Sequence, residues 1–199
     1  MLSICKYCVM KPKQITGINS LCVPNLVIVG FTSCGKSSAG RALAKATGAE
    51  FVDLDTIIEQ LYNDENKEVR SCREIYLIDG KSVFRNFETR AVLSLKDRTG
   101  IVLATGGGAV RTPENRQALK GLGYVVYLKT SPEIIYKRMQ ISKGVPAYLA
   151  DDASQLRISG AWTLRDPVYT AMSDIIVKND NISPEAAAAA IIAGFEKIV

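Results

Sequence analysis

The stretch VIVGFTSCGKSSAG, residues 27–40, contains Gly30, four further residues, and then Gly35, Lys36 and Ser37. That spacing is the G-x-x-x-x-G-K-[ST] phosphate loop. A continuous apolar run precedes it and a helical pattern over about 36–47 follows, which is the context the loop requires. Backbone N–H groups from Ser33 through Cys34 and Gly35 to Ser38 can turn inward as an anion nest. The N-terminus of the following helix adds positive potential. Lys36 is expected to reach the β- and γ-phosphates of ATP, and the Ser37 hydroxyl to ligate magnesium. The same helix end is expected to make the Cys34 thiol alkylatable unless ATP covers it. The guanine-reading N-K-x-D motif is absent, which argues against a GTPase.

Working outward, the run at 26–29 has no polar alternation and suits a strand buried on both faces of a parallel sheet. Four similar runs follow, at 51–52, 101–104, 124–128 and 175–177. Helical patterns lie between them. One, over 82–95, puts Val83, Phe84, Phe87, Ala91 and Leu95 on a single face. Pro113, Pro132 and Pro184 each stand where the first turn of a helix tolerates proline. Alternating strands and helices predict an α/β fold built on a parallel sheet. Residues 1–24 are polar and aperiodic and read as a disordered extension, leaving 25–199 as a single domain. Residues 142–161 have the weakest apolar pattern within that domain, and such a segment reads as a lid.

Composition narrows the chemistry. The chain of 199 residues has no histidine, which removes Ser-His-Asp and Cys-His nucleophilic sites. The net charge of +5 is spread along the sequence, suiting an anionic small molecule rather than nucleic acid. No apolar run is long enough for a membrane span, and no secretory signal is visible. Five scattered cysteines fit a reducing cytoplasm. Cys5 and Cys8 have zinc-knuckle spacing, but no second pair completes it.

Three constellations bear on the acceptor of the phosphate. In FVDLD, Asp53 and Asp55 end the second strand and would share one face of it, suiting one metal ligand and one hydroxyl acceptor. The alternative is that Asp55 merely caps a helix. In GKSVFRNFETR, Arg85 and Glu88 are three apart on a helix and can pair, holding the arginine rigid to grip a carboxylate. In VLATGGGAV, Gly106, Gly107 and Gly108 follow the third strand and allow close backbone approach to a ligand.

Taken in order, GFTSCGKSS, FVDLD, FR-x-x-E, TGGGAV and the RDPVY of 165–169 resemble the shikimate kinase family from about residue 25 onward. The resemblance implies a three-layer α/β/α, adenylate-kinase-like P-loop fold with a five-stranded parallel sheet and a mobile lid. It implies transfer of the γ-phosphoryl group of ATP to the 3-hydroxyl of shikimate, in aromatic amino-acid biosynthesis, by a cytoplasmic monomer. By position, it assigns Asp55 to the shikimate hydroxyls, and Asp53 to magnesium with Ser37. Arg85, Gly107, Gly108 and Arg165 would bind shikimate, with Arg165 as a second carboxylate clamp. Arg138 would lie along the adenine.

The sequence departs from this family in the lid. The family has a lid arginine seven residues after the adenine arginine; seven after Arg138 is Val145. Lys143 is the expected replacement for its charge, with Arg157 one alternative and a slow enzyme, or one that has lost this activity, the other. Ser33 stands at a position commonly glycine in the loop, tolerable with a negative φ. Lys81 and Ile182 are smaller departures. Two rival functions remain: a gluconate- or nucleoside-type kinase, and a non-catalytic ATP-binding module.

Overall fold

The computed structural model describes residues 24–142 and 154–199. Lys143, Val145, Cys5 and Cys8 lie outside the described residues, as do most of the segment read as a lid and nearly all of the N-terminal extension. The strand before the phosphate loop, β1 (Leu26–Val29), is buried at every position. Successive side chains leave a strand on opposite faces. Val27 and Val29 therefore join one core with Phe31, Leu54, Phe87 and Tyr127, while Leu26 and Ile28 join another with Leu43, Val126 and Ile191. Both faces need cover, which is why the run is uniformly apolar.

Helices α1 (Lys36–Thr47) and α8 (Pro184–Phe195) close one face. Helices α2 (Leu54–Asn66), α4 (Gly80–Ser94), α5 (Pro113–Leu122), α6 (Pro132–Ser142) and α7 (Gln155–Met172) close the other. Between them lie β2 (Glu50–Asp53), β3 (Ile101–Ala104), β4 (Tyr124–Lys129) and β5 (Ile175–Lys178). The sheet order is β2-β3-β1-β4-β5, with every pairing parallel. This is the expected three-layer α/β/α fold with five parallel strands. All carboxyl ends share one edge, with Asp53 opposite Ala104 and Val29 opposite Tyr127. Among the described residues, no helix is long and apolar enough to cross a membrane.

Prolines 113, 132 and 184 open α5, α6 and α8 as expected. A short helix, α3 (Cys72–Glu74), and one π-helical turn, Ile75–Asp79, connect α2 to α4. Four expectations change. Val83 is more than a third exposed and lies outside the buried stripe of α4. β5 is an edge strand, with Ile176 exposed. Residues 155–161, read as irregular, are the first turns of α7, which the Ser154 side chain caps. The pattern hid this helix because Leu156 and Leu164 face outward and Pro167 interrupts its interior. Finally, β2 stops at Asp53, so Asp55 belongs to the first turn of α2 and does not share a strand face with Asp53.

The opposite edge of the sheet is tied by one buried polar side chain. Asn25 Nδ2 donates to Arg98 O (2.6 Å) and Leu122 O (3.0 Å), and its Oδ1 accepts from Ile101 N–H (3.0 Å). Replacing it leaves three backbone groups to find other partners. Asn25→Ala is expected to lower unfolding stability by about 2–3 kcal/mol, with no change in substrate affinity; urea denaturation measures the first and steady-state kinetics the second.

Candidate active site

Two cavities open at the carboxyl edge of the sheet. The first, about 510 Å³, is lined by Thr32, Ser33, Gly35, Lys36, Ser37, Ser38, Asp53, Asp55 and Arg138, among others. Gly35 has φ 98°, a left-handed value that suits glycine, and leaves α1 without a side-chain cap. No acidic residue occupies the first turn of α1. Its end is therefore an uncapped set of N–H donors facing the cavity, as an anion site requires. Lys36 Nζ donates to Gly30 O (3.0 Å) and Phe31 O (2.8 Å), so the loop holds its own lysine. Ser37 Oγ donates to Asp53 Oδ2 (2.9 Å). Asp53 Oδ1 also caps α2 by accepting from Asp55 N–H (3.2 Å). The cap is thus Asp53, and the Asp55 side chain is left for the cavity.

Two expectations about the loop are corrected. The Cys34 side chain is fully buried among Ile28, Val126 and Leu128 and does not line the cavity, which removes the access that alkylation requires. What Cys34 contributes is its carbonyl oxygen. It accepts from Asn179 Nδ2 (2.6 Å), Arg138 Nη1 (3.0 Å) and Thr130 Oγ1 (3.4 Å). Ser33 has φ 58°, the positive value that the sequence reading took it to avoid. A left-handed non-glycine residue stores roughly 1–3 kcal/mol, and such strain gathers at ligand sites. Arg138 Nη2 donates to the carbonyls of Asn179 (2.9 Å) and Asp180 (3.1 Å), fixing the plane of its guanidinium beside the loop.

The second cavity, about 240 Å³, is lined by Thr32, Asp55, Cys72, Arg73, Tyr76, Phe84, Arg85, Glu88, Gly106, Gly107 and Gly108. It shares Thr32, Asp55, Gly106 and Gly107 with the first. Arg85 pairs with Glu88 as the helical spacing requires, and its guanidinium lies 5.1 Å from the Phe84 ring centroid. Glu88 is only 1% exposed, and burial raises its carboxyl pKa against the lowering effect of Arg85. A β-carbon on Gly107 would come 2.7 Å from Thr32 N, and one on Gly108 would collide with the Arg85 guanidinium. Tyr169 Oη donates to Gly107 O (2.5 Å), anchoring the glycine loop to α7. Arg165 lies 4.9 Å over the Phe31 ring and lines neither cavity. Arg157 is exposed and also lines neither.

Asp55 stands where the cavities meet. It is exposed to the cavity space that Thr32, Gly106 and Gly107 also line. Loss of hydration, reinforced by Asp53, raises its pKa from 3.8 to about 6; Lys36 acts in the opposite direction. The Cys72 thiol, whose Sγ donates to Asp55 O (3.4 Å), is pushed far up by burial and by the nearby carboxylates and stays protonated.

Comparison with known proteins now decides the family. The model of the family described as shikimate kinase matches residues 32–196. The chain belongs to the shikimate kinase family. It is 37% identical over 170 residues to a shikimate kinase of Legionella pneumophila, covering 85% of this chain and 93% of that one. It is 30% identical to the solved shikimate kinase from Acinetobacter baumannii in complex with shikimate. That match has a TM-score of 0.80 and covers 88% of this chain and 94% of that one. A gluconokinase from Sinorhizobium meliloti shares the fold at a TM-score of 0.56 and 20% identity, covering 87% of this chain and 92% of that one.

Ser37 and Asp53 suit the magnesium that shikimate kinase chemistry implies. One hydroxyl and one carboxylate, 2.9 Å apart, are the hard oxygen donors that such an ion would accept. Sequence reasoning missed Thr32, Arg73, Tyr76 and Phe84 at the acceptor cavity, and Asn179 beside the loop. The position of Phe84 next to Arg85 was a usable signal. Arg73 and Asn179 carried none.

The raised Asp55 pKa has a consequence in the ligand-free protein. Between about pH 4 and 6 the folded state binds more protons at Asp55 than the unfolded state. Its contribution to stability is therefore full below that window and lost as pH rises through it. Asp55→Asn is expected to raise Tm relative to the wild type, by an amount that grows from about pH 4.5 to about pH 7 and then levels off. Calorimetric scans without ATP across that range check this.

Proposed function

We propose that this chain transfers the γ-phosphoryl group of ATP to the 3-hydroxyl of shikimate, the phosphorylation step in aromatic amino-acid biosynthesis performed by its family. The observation that carries the assignment of roles is the meeting of the two cavities at Asp55. One is built for phosphate and the other holds an arginine braced by Glu88.

In this reading the uncapped end of α1 and the loop N–H groups from Ser33 to Ser38 receive the phosphates. Lys36 exchanges the carbonyls of Gly30 and Phe31 for phosphate oxygens. Arg138, its edge occupied by carbonyls, presents its face to the adenine. Ser37 and Asp53 would hold magnesium, which would supply positive charge to offset that of the phosphates. Arg85 takes the shikimate carboxylate in a bidentate grip, supported by Arg165 from above Phe31. Gly107 and Gly108 form the floor against which the ring lies. Asp55 orients the hydroxyl and, with a pKa of about 6, accepts its proton near neutral pH. The transferring group forms few bonds to protein, so positioning and charge supply the rate. Lys143 supplies the lid charge, with Arg157 the alternative. The working form is a cytoplasmic monomer whose partner is the small-molecule substrate, not nucleic acid or a membrane.

ADP release from MgATP, with and without shikimate, tests this reading. Release is expected to depend on shikimate and to vanish in Lys36→Ala. Arg85→Ala should raise the shikimate KM by at least about tenfold, the effect of losing a bidentate charged contact, with the ATP KM little changed. Lys143→Ala should lower kcat more than Arg157→Ala does. Release indifferent to shikimate, or an unchanged shikimate KM in Arg85→Ala, overturns the acceptor assignment.

A further inference from the structure

Each carbonyl of the glycine loop is engaged by a protein donor. Gly106 O accepts from Ala109 N–H (3.2 Å), Gly107 O from Tyr169 Oη (2.5 Å) and Gly108 O from Arg111 N–H (3.0 Å). Two of these bonds come from one 3₁₀ turn, Ala109–Arg111. The placement of that turn therefore sets the placement of Gly106 and Gly108.

The turn is in its own right held from α5. Asn115 Nδ2 donates to Ala109 O (3.0 Å), and Arg116 Nη1 donates to Val110 O (2.9 Å) and Arg111 O (3.1 Å). Two neighbouring side chains thus engage three consecutive carbonyls. Asn115 is fully buried, and its Oδ1 has no hydrogen-bond partner. A buried acceptor left unsatisfied is destabilising, and an apolar side chain of the same shape would avoid that cost. Packing alone does not call for asparagine here; its contribution is the donor to the turn. The loop that the turn carries has little room to move. Gly108 packs against the Arg85 guanidinium and Gly107 against Thr32.

We propose that Asn115 and Arg116 are positioning residues for the acceptor site. Neither lines a cavity. They act through the 3₁₀ turn, holding the glycine loop in register with Arg85, so that the floor of the cavity and its arginine meet the acceptor in one geometry. The inference rests on the shikimate reading above.

The test uses the full chain with Arg116→Met, Arg116→Lys and Asn115→Leu, and Arg116→Met combined with Arg85→Ala. Calorimetry gives shikimate affinity, ADP release from MgATP gives the kinetic constants and thermal scans give Tm. Arg116→Met should weaken shikimate binding and raise its KM by about tenfold, the order of effect expected when a positioned contact is displaced, with the ATP KM unchanged. Arg116→Lys, whose ammonium can donate to both carbonyls, should recover most of the loss. Asn115→Leu should show the same selective loss with Tm little changed, since one lost hydrogen bond is offset by removal of an unpartnered acceptor. In the Arg85→Ala background Arg116→Met should cost markedly less, because the contact that it misplaces is already gone. Unchanged shikimate affinity in Arg116→Met or in Asn115→Leu overturns the assignment of that residue. A fall in Tm with a rise in both KM values, or an undiminished loss in the Arg85→Ala background, overturns the proposal, since these mark a general structural role. If wild type binds shikimate without turning it over, the catalytic reading fails while the affinities still decide on Asn115 and Arg116. If shikimate does not bind wild type at all, both readings fall.

Discussion

The site depends on the close approach of two loops. The backbone at Gly107, after β3, comes so near to Thr32, after β1, that only a hydrogen atom fits between them. Thr105 reinforces the approach, with both its N–H and its hydroxyl donating to Ile28 O at 3.1 Å. Two strands adjacent in the sheet are thereby joined at their carboxyl ends, in the crevice where open α/β sheets bind ligands. The joined cavities, with Asp55 on their common wall, follow from that contact. Had the loops separated, the phosphate end and the acceptor end would be distinct pockets with no shared carboxylate.

A second set of contacts holds the phosphate loop from the other side. Asn179, at the end of β5, and Arg138, on α6, converge on the Cys34 carbonyl. Asn179 also accepts from Arg138 and donates its N–H to Lys129 O (2.7 Å). Lys129 in turn pairs with Asp166 of α7, and Tyr127 donates to the same carboxylate at 2.8 Å. The loop, the arginine beside it and the helix carrying Arg165 are thus parts of one connected polar network over β4. A carbonyl accepting three donors is held in one orientation, which directs the following N–H groups toward the cavity.

The fold was legible because its signals are local and large. The loop spacing, five apolar runs and three helix-opening prolines each report a single physical requirement. The pairing of Arg85 with Glu88 was readable for the same reason, since helical periodicity brings residues three apart together. The errors came where an identity has two physical uses. Asp53 and Asp55 look equivalent on an extended strand, but Asp53 ends the strand and caps α2, so the side chains diverge. Cys34 lies in a loop that touches ligand through its backbone, and a side chain there is free to turn into the core. Arg73 and Asn179 reach the site only through tertiary packing, which no spacing in the chain announces.

The burial of the Cys34 thiol also bears on chemical durability. A sulfur at the centre of a phosphate loop, next to the helix end most able to activate it, would ordinarily be the first atom lost to peroxide or to an electrophilic drug. Here it faces Leu128 and Val126, with Lys36 Nζ 3.8 Å away, sealed beneath the backbone that handles the nucleotide. Cys72, which does border a cavity, is kept as a neutral thiol by burial and, after that, by the carboxylates around it. Both described cysteines are therefore shielded, Cys34 by exclusion from the cavity and Cys72 by loss of hydration with neighbouring negative charge. Reversible ligands that bridge the two cavities, rather than thiol-directed warheads, are the inhibitors this architecture favours.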